Sequence, residues 1–106
     1  MDLKQTRSIF IVKSVINEFD EHICRICGVD WLKQTKETRE DVHDSYCCCC
    51  GSQVGYEDKL LKAIKIARQK WLKGSLRWDS PSLQPKGWNK EMALKQIKDN
   101  VPEEFQ

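Results

Sequence analysis

Cys24-Arg25-Ile26-Cys27-Gly28 and Cys47-Cys48-Cys49-Cys50-Gly51 both read C-x-x-C-G, with nineteen residues between Cys27 and Cys47. Each pair is close enough in sequence for two thiolates to reach one ion. A glycine after the second cysteine lets the backbone turn with positive φ, so that amide N–H groups point at the sulfurs. Soft sulfur ligands in two such pairs suit a structural, tetrahedral zinc site. The spacing therefore predicts one structural Zn2+ per chain, held by Cys24, Cys27, Cys47 and Cys50.

Cys48 and Cys49 are surplus to a four-ligand shell. A redox pair or an alternate ligand set is one reading. The plainer one places them in the knuckle turn, one buried and one exposed, because vicinal cysteines close a strained ring when they bridge. His22 and His43 precede the two knuckles and could replace a cysteine, but four well-spaced thiols leave them surface or supporting roles.

The elements that position these thiols must be built from little apolar material. The chain has 106 residues, 40% of them hydrophobic and 32% charged, with four tryptophans. That is one small domain with a modest core, to which a metal staple adds stability. No secretory signal fits the first residues and no apolar stretch is long enough to span a membrane, so the expected location is the cytosol, where thiols stay reduced. The formal charge of +2 is brought close to neutral by four thiolates and a dication, unlike the strong positive charge of a dedicated nucleic-acid binder.

Ile9, Val12, Ile16 and Phe19 recur at helical spacing, although Ser8 to Val12 is also good strand sequence; the spacing favours an N-terminal helix over residues 1–22. Residues 23–56 form the knuckle module. Within it, Val29 to Leu32 reads as a short strand, and Lys33 to Asp44, rich in charge, as a solvated loop with one helical turn. Residues 57–100 form a helical C-terminal part. Leu60, Ile64, Ala67 and Trp71 give its first helix a stripe widened by Leu61 and Leu72, with Glu57 or Asp58 as cap and Gly74 as a left-handed stop. After a crossing segment with Pro81, Pro85 and Gly87, Asn89 caps a last helix whose apolar side is Met92, Ala93, Leu94 and Ile97. The expectation is a single small α+β domain, residues 1–106: a zinc-knuckle or zinc-ribbon-like module with flanking helices.

Asp44 to Asp58 resembles the small bacterial cysteine-rich CPCC family, whose members read C-P-x-C-G, then S-Y-x-x-C-P-C-C-G-F-x-F-G-Y-D. Arg68-Gln69-Lys70-Trp71-Leu72-Lys73-Gly74-Ser75-Leu76-Arg77-Trp78 is similar to the family's R-x-x-W-x-x-x-G-x-x-W, one residue shorter between Trp71 and Gly74. Pro85-Lys86-Gly87-Trp88-Asn89 is similar to its closing tryptophan. The likeness spans about residues 24–97. Cys48 and Arg25 stand where the family has proline, and Ser52 and Val54 replace aromatics, while the cysteine spacing survives. The resemblance implies a small zinc-binding bacterial protein without an established activity. Related proteins lie beside toxin genes, which implies a role as an immunity protein.

Three classes of function follow. A binding protein, specifically a toxin inhibitor, ranks first. Its partner would be a toxin domain encoded nearby, met by the loop from Trp31 to Asp44 and by a basic face of Lys62, Lys65, Arg68 and Lys73. Trp31 is the tryptophan expected to be exposed; Trp71, Trp78 and Trp88 are expected in the core. A nucleic-acid-binding zinc module using the same face ranks second. An enzyme ranks last: the sequence holds no Ser-His-Asp arrangement, phosphate loop or H-E-x-x-H motif, and four thiolates close the shell to water.

Overall fold

Each knuckle is a tight turn closed by its own backbone. In the first, the Gly28 N–H donates to Cys24 O (2.9 Å) and the Cys24 N–H to Val29 O (2.9 Å). In the second, Gly51 N–H donates to Cys47 O (2.9 Å) and Cys47 N–H to Ser52 O (2.8 Å), at identical sequence offsets. The turns need a residue in the left-handed region, and Gly28 (φ 83°) and Gly51 (φ 76°) supply it without a Cβ penalty. One antiparallel bridge closes each mouth, Ile23 with Asp30 and Tyr46 with Gln53. This computed structural model describes residues 22–106 of the chain. The helix expected over residues 1–22 therefore lies outside the described residues, apart from His22.

Those two bridges are the whole β content among the described residues, so the expected α+β ribbon is reduced to paired knuckles in a largely helical frame. The reason is local. The strand expected over Val29–Leu32 is cut short because Asp30 acts as an N-cap, its carboxylate accepting from Lys33 N (3.2 Å). Helix α1 (Trp31–Thr35) begins there and stops at Lys36, which is left-handed (φ 65°). Thr38 and Asp41 then form a reciprocal capping box that starts α2 (Arg39–Val42). The stretch expected as a solvated loop is thus two short capped helices, anchored inward by Trp31 and Val42.

Helix α3 (Leu61–Lys73) starts later than its apolar stripe suggested. Asp58 is spent before the helix begins: it is buried, accepts from Gly55 N (2.8 Å) and pairs with Arg39 (2.5 Å). Leu60 and Leu61 accordingly face solvent, at 70% and 44% exposure, and the inward stripe is Ile64, Arg68 and Trp71. Gly74 is extended rather than left-handed (φ −90°), and the left-handed residue after α3 is Leu76 (φ 65°).

The chain returns through a short turn at Pro81–Leu83 and a tryptophan cluster. Trp78 and Trp88 meet edge to face at 5.4 Å, and Trp71 lies 6.4 Å from Trp88, whose indole N–H donates to Leu76 O (2.9 Å). Trp71 and Trp78 are buried and Trp88 is half-buried, close to expectation. Asn89 caps α4 (Lys90–Asn100) by accepting from Met92 N (2.9 Å). Ala93 and Ile97 are the buried residues of that helix, while Leu94 turns to solvent. No helix among the described residues is long and apolar enough to cross a membrane.

Candidate metal centre

The two knuckles face each other and bring four sulfurs together. The Sγ atoms of Cys24, Cys27, Cys47 and Cys50 all lie within 4.8 Å of one another. Two contacts run between knuckles: Cys24 to Cys50 at 3.8 Å and Cys27 to Cys47 at 3.7 Å. Four sulfurs placed tetrahedrally about 2.3 Å from a dication are separated by about 3.8 Å. The site can therefore hold a metal ion with little movement. His22 and His43 stand apart from it, on Asp30 (2.8 Å) and Asp44 (3.3 Å) respectively.

Burial sets the protonation of the thiols. Burial, reinforced by hydrogen bonds to Cys24 and Cys47, pushes the Cys27 thiol well above the ordinary cysteine range. Cys50 is also pushed up, first by its hydrogen bond to Cys24. Cys47 goes the other way. Burial alone would raise it, but hydrogen bonds from Cys24, Cys27, Cys48 and Cys50 outweigh that and hold it well below. Of these three thiols Cys47 ionises most readily, and a cation must displace protons from Cys27 and Cys50.

The surrounding groups match the negative charge that four thiolates leave around a dication. Trp31 Nε1–H donates to Cys47 Sγ at 3.4 Å, and the Cys49 amide to the same sulfur at 3.5 Å. Arg68 brings a guanidinium beside the first knuckle, donating to Ile26 O (2.9 Å) and Arg25 O (2.8 Å). Burial lowers its pKa, and attraction to Cys24 and Cys27 pulls the other way. Cys49 is fully buried and accepts from Gln96 Nε2 (3.7 Å), while Cys48 is half-buried.

Two clamps fix the knuckles to the rest of the chain. On the first, Gln96 donates to Cys27 O (2.9 Å) and Asn100 to Gly28 O (2.8 Å), both from α4. On the second, the Asp79 and Ser80 amides donate to Cys49 O (3.1 Å) and Cys48 O (2.8 Å). Arg39 ties α2 to the module through Ile23 O (2.7 Å) and lies over the Trp31 ring, 5.1 Å from its centroid.

Two residues expected at a partner surface are instead interior. Trp31 is 1% exposed, because the Asp30 cap turns its ring inward under Arg39 and onto Cys47. Arg68 is 6% exposed, because it follows Ile64 by one helical turn and so lies on the inner face of α3. Its fork also reaches Phe105 O (2.7 Å) and Gln106 O (3.3 Å). Lys62, Lys65 and Lys73 are exposed on α3, off its buried stripe. Sequence reading missed Gln96 and Asn100, although they share the helical face of Ala93 and Ile97 and so lay within reach of the same pattern. Comparisons with protein-family models, curated proteins and solved structures find no match to this chain.

Proposed function

We propose that this chain is a zinc-scaffolded binding protein. The observation that carries the reading is the pair of inter-knuckle sulfur contacts at 3.7 and 3.8 Å, which fits the edge of a tetrahedral zinc–thiolate shell. Four cysteine ligands close that shell, so no coordination position is left to activate water, and the metal acts as a structural hub. Both clamps end on knuckle backbone, and the Arg68 fork joins that backbone to Phe105 and Gln106, which supports the metal as the hub on which the fold is fixed.

The product of such a scaffold is a fixed surface. The partner we propose is a protein, in particular a toxin domain neutralised in the cytosol of a bacterium, in line with the resemblance to the CPCC family. A nucleic-acid-binding role is the second reading, favoured by the run of exposed lysines on α3.

Elemental analysis tests the first step: purified protein should carry about one zinc, be colourless and lose metal on Cys27→Ser. Iron, or an absence of metal in a fully folded protein, would overturn it. Co-expression with the product of a neighbouring toxin gene tests the second, read as co-purification and restored growth. Failure of both, with tight, salt-sensitive retention on DNA or RNA, would favour the second reading.

A further inference from the structure

Helix α3 has a second face, opposite its buried stripe of Ile64, Arg68 and Trp71. Lys62, Lys65, Lys70 and Lys73 lie on it, all exposed, and the helix contains no acidic residue. No ion pair among the described residues engages any of these lysines. Ile66 stands in their midst, 54% exposed. Lys62 and Lys70 are its neighbours one turn to either side, and Gln69 and Lys73 continue the same row. Lys65, Ile66, Gln69, Lys70 and Lys73 line a shallow depression of about 340 Å³. Its apolar surface is supplied by Ile66 and by lysine stems, whose ammonium heads project toward water.

Single exposed isoleucines are common and carry no message alone. Here the isoleucine lies on one helix among four lysines that no ion pair of the described residues engages. A central apolar contact surrounded by a charged rim is the arrangement of a small interaction hot spot. A nucleic-acid strand would meet the ammonium groups, but the depression offers its bases no aromatic ring to stack on. An acidic peptide segment meets both.

Resting on the reading of the chain as a protein-binding scaffold, we propose that the outer face of α3 docks an acidic segment of the partner, with one bulky apolar side chain seated over Ile66 and flanking carboxylates on Lys65, Lys70 and Lys73. Charge steering then speeds association, and the apolar contact selects among acidic segments.

The test uses zinc-loaded full chain and three fluorescent probes: a short glutamate-rich peptide with a single leucine, its all-glutamate counterpart, and single-stranded DNA of similar charge. The leucine peptide should bind most tightly, and amide NMR shifts should be confined to residues 62–73. Ile66→Ala should reduce its affinity to that of the all-glutamate peptide. The pair Lys65→Glu with Lys73→Glu should weaken it by about tenfold or more. Lys90→Glu, exposed on α4, should leave binding unchanged, which separates local contact from net charge. Metal content and circular dichroism check that each variant is folded. The surface assignment is overturned if no peptide binds, or if DNA binds as tightly and Ile66→Ala has no effect. Shifts that map elsewhere would also overturn it, while leaving the wider protein-binding reading standing.

Discussion

Replacing Gly28 by alanine should be far more damaging than the same change at Gly51, although the two glycines hold equivalent places. Both have positive φ, 83° and 76°, so each pays about 1–2 kcal/mol for putting a Cβ in the left-handed region. What differs is the neighbour. A Cβ on Gly28 would stand 2.5 Å from Gln96 O, 3.0 Å from its carbonyl carbon and 3.2 Å from Ile97 Cα, all backbone of α4. That helix must move away, adding an overpacking cost of about 1–3 kcal/mol. The movement strains the bonds from Gln96 to Cys27 O and from Asn100 to Gly28 O, each contributing about 1 kcal/mol. The total is roughly 4–7 kcal/mol, a large share of the about 5–15 kcal/mol that holds a domain together. A Cβ on Gly51 would meet the side chain of Asp79 at 3.3 Å, which can rotate away, so the cost stays near the conformational term. Gly87 (φ 78°) has nothing within 4 Å and serves as the reference. Urea denaturation of the three zinc-loaded variants should rank Gly28→Ala well below Gly51→Ala and Gly87→Ala. A difference between the Gly28 and Gly51 variants of less than about 0.5 kcal/mol would refute the packing of α4 on the first knuckle.

Trp31→Phe keeps the buried ring and removes the N–H that Cys47 Sγ accepts; zinc affinity in a competition assay should fall by about tenfold, with little change of fold. Arg68→Lys should cost about 2–4 kcal/mol in thermal or chemical unfolding, because one ammonium cannot replace a fork that serves the carbonyls of Arg25, Ile26, Phe105 and Gln106. An unchanged unfolding midpoint would remove Arg68 from the interior framework. Acidification should expel the metal. The Cys27 and Cys50 thiols lie above the ordinary range, so binding displaces at least their protons, and affinity should fall at least about 100-fold per pH unit between about pH 8 and about pH 6. The stability that the metal confers is therefore lost as pH falls; a flat zinc-binding profile across that window would contradict the assigned protonation.

Short-range chemistry was legible in the sequence. A C-x-x-C-G segment sets its own turn, puts two thiols on one side and demands a left-handed glycine, so Cys24, Cys27, Cys47, Cys50, Gly28 and Gly51 could be placed without a partner in view. The Asn89 cap and the core position of Trp71 followed from rules that span three or four residues. What those rules could not settle was which neighbours compete for a group. Asp58 looked like a helix cap, yet Arg39, distant in sequence, takes its carboxylate and α3 starts later. Arg68 looked like part of a basic surface, yet the Arg25 and Ile26 carbonyls of the first knuckle and those of Phe105 and Gln106 draw it inward. Trp31 looked exposed beside a charged stretch, yet a thiolate needs a donor and the Asp30 cap swings the indole onto it. A polar group or an indole N–H goes where a buried partner awaits it, because leaving that partner unpaired costs about 1–3 kcal/mol. Only the tertiary structure decides where such partners lie.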